Sequence, residues 1–85
     1  MNRVVKKITR SPSFIKQTKS LDKFSREKLK KQILKILDNP FVGKPLKYKR
    51  GERTIYIKPF RLIYALYRNE LILLKFEHRK SVYKN

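Results

Sequence analysis

The sequence contains no cysteine and no tryptophan, only two glycines, one histidine and six acidic residues among its 85 positions. Each shortage removes a class of explanation. Without cysteine there is neither a disulfide framework nor a thiolate zinc site, and no mark of an oxidising compartment. The six acids, Asp22, Glu27, Asp38, Glu52, Glu70 and Glu77, are scattered without D-x-D, E-x-K or H-E-x-x-H spacing. That pattern argues against a carboxylate-bound one- or two-metal nuclease site, so any reaction is expected to run without a metal or other cofactor. The apolar runs are far too short to cross a bilayer, and the opening stretch MNRVVKKITRS has a charged start with no long apolar segment or cleavage-type site behind it. The expectation is a soluble, cytoplasmic protein with no membrane partner.

What is abundant is positive charge. Twenty-four Lys and Arg against the six acids give a net charge of +18, a density that repels itself and is usually tolerated because the partner is polyanionic. Nucleic acid is the first partner class implied. An acidic membrane surface fits less well, because the cations are spread along the whole chain instead of lying opposite an apolar face. A merely soluble, lysine-rich surface usually carries glutamate in balance, and here that balance is missing. The length suits a single domain over residues 1–85, with one core and little stability to spare.

Along the chain, RVVKKIT alternates and is β-branched, which predicts a short strand over residues 3–9. Ser11 followed by Pro12 predicts the N-cap and first position of a helix, with Phe14, Thr18 and Leu21 on one face. A second helix is expected after Ser25 as N-cap, stapled by Phe24 against Leu29, carrying an apolar stripe of Leu29, Ile33, Ile36 and Leu37, and ending at Asn39-Pro40. FVGKPLKYKRGER, with Gly43, Pro45 and Gly51, is expected to be a connecting loop; it is also strongly basic, through Lys44, Lys47, Lys49, Arg50 and Arg53. A meander follows, with strands over 54–57, 60–67 and 71–77 and turns at Lys58-Pro59 and Asn69-Glu70. The expected fold class is α+β: a small, mostly antiparallel sheet in β-α-α-β-β-β order, with the two N-terminal helices packed on one face.

Strand alternation divides the side chains between two faces. The expected core rows are Ile55 and Ile57; Leu62, Tyr64 and Leu66; and Ile72, Leu74 and Phe76. The opposite rows bring Tyr56, Lys58, Arg61 and Arg79 to the face that the helices leave open, while His78 shares the parity of Phe76.

With these residues in view, the chain resembles the RelE/ParE superfamily of toxin–antitoxin systems, and within it the RelE-like, ribosome-dependent messenger-RNA endonucleases (mRNA interferases). The resemblance runs over nearly the whole chain. It is carried by the order of elements, by NPFVGKPL after the second helix, by FRLIYAL, which is similar to the family's Y-R-[LV]-[IV]-Y strand, and by HRKSVY, which is similar to its H-R-x-x-V-Y close. The resemblance implies that Arg61 and Arg79 hold the scissile phosphate, that Tyr83 stacks on or assists at a base of the codon, and that His78 is a candidate for proton transfer. Family members commonly carry two basic residues, two apart, on the preceding strand. Here those positions are Thr54 and Tyr56, with Lys58, Arg53 or the loop lysines as substitutes.

The reaction so implied is attack of a ribose 2′-OH on the adjacent phosphate of messenger RNA, which inhibits translation. It requires alignment, stabilisation of the extra phosphorane charge, and proton transfer. Arginine suits the second task because its planar fork pairs with two phosphate oxygens and stays charged. For proton transfer His78, Lys58, Tyr56 and Tyr83 are all open, with a packed structural histidine and a merely anchoring tyrosine as the competing readings. Lys44, Lys47, Lys49, Arg50 and Arg53 would form a track for the RNA backbone. The resemblance also implies messenger RNA presented by the ribosome and a cognate acidic antitoxin as partners. Two other readings stand beside this one: a ParE-like, non-enzymatic inhibitor of a DNA topoisomerase, and a catalytically inactive RelE-like RNA- or ribosome-binding protein.

Overall fold

A computed structural model describes residues 5–47 and 51–78. Its elements run β1 (Lys7–Arg10), α1 (Pro12–Thr18), α2 (Lys23–Asp38), β2 (Lys44–Pro45), β3 (Glu52–Ile57), β4 (Phe60–Tyr67) and β5 (Glu70–His78). The strands make one five-stranded sheet in the order β1-β5-β4-β3-β2. β1 lies parallel to β5, and the other pairs are antiparallel. The expected α+β architecture is thus present, with one addition: part of the stretch read as a loop forms the two-residue edge strand β2. A strand that short carries no periodicity in sequence.

Both helices start and stop for local reasons. Ser11 caps α1, its Oγ accepting from the Phe14 amide at 3.0 Å, with Pro12 in the first turn. For α2 the expected cap is corrected: Asp22 takes the N-cap position, three residues before Ser25. In DKFS both residues are good caps, and the earlier one adds a turn of helix. The Asp22 carboxylate is held below the ordinary aspartate range, chiefly by a hydrogen bond from Ser25. The earlier start also dissolves the expected staple. Phe24 stands 71% exposed, with the Lys28 ammonium 5.1 Å from its ring centre. The stripe itself holds, with Leu29 and Ile36 buried and Ile33 and Leu37 packed beside them. Asn39 ends α2 as its C-cap.

The helices cover one sheet face, where Phe14, Leu29 and Ile36 meet Ile57, Leu62, Tyr64, Leu71, Leu73 and Phe76. The β4–β5 turn is one residue earlier than expected, at Arg68 and Asn69. Both have positive φ (48° and 67°), as a tight two-residue hairpin requires. From there the ladder pairs Tyr67 with Glu70, Leu66 with Leu71 and Tyr64 with Leu73. Between Ile63 and Tyr64 the register then slips by one residue, so that Ile63 faces Lys75 and Leu74 is bulged out of the ladder.

This bulge corrects the expected core row of β5. Leu71, Leu73 and Phe76 are buried, whereas Ile72 and Leu74 are only partly so. One extra residue inverts the phase halfway along the strand. The bulge is tied down by α1: the Ser11 hydroxyl donates to the Leu74 carbonyl at 2.6 Å, and the Phe76 amide donates to Gln17 Oε1 at 2.6 Å. Backbone groups near the break in the ladder therefore keep partners.

Candidate functional site

The consequence of the bulge is a cross-strand row on the open face. Tyr56 on β3 faces Arg61 on β4, and Arg61 faces Glu77 on β5. Had the pairing begun at the hairpin continued residue by residue, Arg61 would lie opposite Phe76. The extra residue at Leu74 brings a carboxylate there instead.

Arg61 and Glu77 belong to the lining of a groove of about 610 Å³ on this face. Its floor carries Ile63 and Leu74, and around it stand Lys47, Lys75, Glu52, Leu46, Ser11 and Ser13. Arg61 Nη2 lies 3.4 Å from Glu77 Oε1, and Lys75 Nζ lies 4.0 Å from Glu77 Oε2. The first contact is longer than a well-formed charge-assisted hydrogen bond, typically about 2.7–2.9 Å. The Arg61 Nε is buried and has no hydrogen-bond partner among the described residues. About a quarter of the Arg61 side chain remains exposed, and it is this part, not the sealed Nε, that can meet a further oxyanion, with the attraction screened less than at an open surface.

Leu46 and Lys47 follow β2, which pairs with β3, and the Leu46 amide donates to the Glu52 carbonyl at 2.9 Å; residues 40–43, which lead into β2, are clamped in turn. Tyr64, fully buried on β4, donates from its hydroxyl to the Pro40 carbonyl at 2.7 Å and accepts from the Gly43 amide at 3.0 Å. Burial raises the Tyr64 phenol above the ordinary tyrosine value, against the smaller opposing effects of the Gly43 amide and Arg53. A Cβ on Gly43 would stand 2.8 Å from that hydroxyl and 2.9 Å from the Thr54 carbonyl oxygen, so the approach needs glycine. Arg53 completes the clamp, donating from Nη1 to the carbonyls of Phe41 (3.1 Å) and Gly43 (2.6 Å) with its guanidinium carbon 5.0 Å from the centre of the Phe41 ring.

The predicted site residues therefore divide. Tyr56, Arg61 and Lys47 lie on or beside the open-face row or in the groove, with Tyr56 67% exposed. His78 goes to the other side, paired with Phe60 and edge-on to its ring at 5.3 Å. Lys58 is exposed in the β3–β4 turn, where its carbonyl accepts from Lys28 Nζ, and Lys44 is exposed on β2. Arg53 has its guanidinium engaged with the loop backbone. Arg79, Tyr83, Lys49 and Arg50 lie outside the described residues, so the expected pairing of Arg61 with Arg79 does too. Lys75 and Glu77 alternate with Phe76 and so fall on this face by strand parity, yet sequence reasoning gave neither a part in the site. The available signal was the polar end of an otherwise apolar strand.

A family model described as ParE toxin of type II toxin–antitoxin system, parDE, matches residues 8–83. Among solved structures, the isolated RelE toxin of E. coli has a TM-score of 0.76 at 19% identity, covering 85% of this chain and 82% of that one. In the RelB–RelE antitoxin–toxin complex from Methanococcus jannaschii, the matched chain has a TM-score of 0.74 at 20% identity, covering 88% of this chain and 94% of that one. The E. coli DinJ–YafQ toxin–antitoxin complex gives 0.74 at 20% identity, covering 92% and 97%. At such identities the likeness is one of fold. No curated protein matches the chain in sequence.

Proposed function

The chain belongs to the ParE toxin family of type II toxin–antitoxin systems, and from that premise we propose that its toxic act is ribosome-dependent cleavage of messenger RNA. The observation that carries this reading is Arg61: partly buried, met by Glu77 only at 3.4 Å, and in a groove that also holds Lys47 and Lys75. Such a group suits one phosphodiester gripped beside the apolar side chains of Ile63 and Leu74. The 2′-OH attacks the neighbouring phosphorus, the guanidinium stabilises the added charge, and no step calls for a metal or cofactor. Arg79, two residues beyond Glu77 in sequence, is the proposed second cation, and Tyr83 the stacking residue, as the resemblance implies. The exposed ring of Tyr56 beside Arg61 offers a further surface for a base. Alignment of the codon by the ribosome would supply much of the rate that so small a site lacks.

The proposed partner in the resting cell is a cognate antitoxin. Structures with RelB and with DinJ show RelE and YafQ in such complexes, and a net charge of +18 favours an acidic one. The test is expression in a translating extract with mapping of messenger 5′ ends, beside an Arg61→Ala, Arg79→Ala double variant. Codon-phased cuts that vanish in the variant are expected. Ribosome binding without cuts would leave an inactive RNA-binding protein. The family model's ParE description favours a second reading, inhibition of a DNA topoisomerase without catalysis; intact messages with a supercoiling defect would establish it.

A further inference from the structure

We propose that Glu77 is the general base of the reaction, an inference that rests on the RNA-cleavage reading above. The geometry is particular. Transfer of a phosphoryl group to a 2′-oxygen needs a cation on the phosphate and a proton acceptor beside the ribose, both within a few ångströms of one phosphorus. Directly opposed residues in a sheet stand about 5 Å apart. Arg61 and Glu77 are such a pair, and both line the same groove.

The carboxylate is near its cations without being locked to them. Its contacts are 3.4 Å to Arg61 and 4.0 Å to Lys75, and about a fifth of its side chain is exposed. A phosphate arriving at Arg61 takes over the guanidinium and releases a carboxylate oxygen beside the sugar. His78, adjacent in sequence, turns to Phe60 on the opposite face. In the step proposed, the 2′-hydroxyl proton passes to a Glu77 oxygen as the 2′-oxygen bonds to phosphorus. The bond from phosphorus to the 5′-oxygen breaks, and that oxygen leaves as a hydroxyl after taking a proton from solvent water. A 2′,3′-cyclic phosphate remains, and Glu77 returns its proton to water.

The opposite role for the same contact is a plug: a built-in anion that occupies Arg61 and competes with the phosphate. The two roles predict opposite signs. The experiment measures single-turnover cleavage by saturating full-length toxin on purified ribosomes programmed with messenger, for wild type, Glu77→Gln and Glu77→Asp, together with ribosome binding and thermal melting. As a base, Glu77→Gln lowers the cleavage rate about 100-fold or more, binds ribosomes at least as well as wild type, melts normally, and loses an ionisation from its rate–pH profile that Glu77→Asp retains. A rate within threefold of wild type or above it, or a fall with the pH profile unchanged or with binding or melting lost in both variants, overturns the assignment. Cuts by wild type and by Glu77→Gln alike sink this inference alone; no cuts by wild type sink the cleavage reading and this one with it.

Discussion

The two faces of the sheet are built from the same three strands and follow different rules. On the helix-covered face, Leu62, Tyr64, Leu71 and Phe76 have essentially no exposure, and the buried Tyr64 hydroxyl has both a donor and an acceptor. On the open face, the Thr54 hydroxyl and Arg61 Nε are buried without partners among the described residues, and the Arg61–Glu77 contact is stretched. A polar group sealed from water is normally satisfied. The covered face obeys that rule and stabilises the domain; the open face departs from it in the row that carries Arg61, whose exposed part lines the groove.

The largest effect should come from emptying the covered face. Phe76 is 2% exposed and stacks on Phe60 with ring centres 4.5 Å apart. Phe76→Ala should cost roughly 3–5 kcal/mol, comparable with the whole stability of a domain this small, and urea or thermal melts would show a partly or wholly unfolded chain. A loss below about 1 kcal/mol would mean that the helix-covered layer is not the core.

The comparison also marks how far the sequence was legible. Helix stripes, the order of elements along the chain and the ends of β4 follow from periodicity and turn residues, because burial of one face imposes a pattern the eye can count; the parallel seat of β1 beside β5 does not. The bulge does not, since Leu71 to Leu74 is a continuous apolar run in which one surplus residue leaves no trace. The side chains that hydrogen-bond its backbone, Ser11 and Gln17, lie about 60 positions away. Because the bulge decides that Arg61 meets Glu77, the site's main contact was hidden while its arginine was visible. Arg53 and Tyr64 show the converse. They read as a possible RNA ligand and a plain core aromatic, and the structure joins them as the clamp on residues 40–43.

An intermediate effect is expected at that clamp. Tyr64→Phe leaves the Pro40 carbonyl and the Gly43 amide without their partner, which should cost about 1–3 kcal/mol. The pH dependence has a definite sign. The native phenol holds its proton above the ordinary value of 10.0, so above that pH the unfolded chain ionises first and stability falls as pH rises. The contribution is fully present below pH 10. Denaturant titrations between neutral pH and pH 11 should therefore show a steeper alkaline loss for wild type than for Tyr64→Phe. Parallel losses would mean that the hydroxyl is not sealed as described.

The smallest effect on stability should come from Arg61, and its size decides whether the two faces differ in kind. The Arg61–Glu77 pair is single and partly exposed, so little stabilisation is lost with it. Arg61 also carries an unsatisfied buried nitrogen, whose removal relieves a desolvation cost. Glu77 is not stranded by the change, because Lys75 remains 4.0 Å away and solvent reaches the carboxylate. Arg61→Leu should therefore melt within about 0.5 kcal/mol of wild type, or slightly above it, while abolishing the proposed cleavage. A loss above 2 kcal/mol would make Arg61 part of the scaffold. Near-neutral stability combined with lost function would instead identify Arg61 as a residue that the substrate needs and the fold does not.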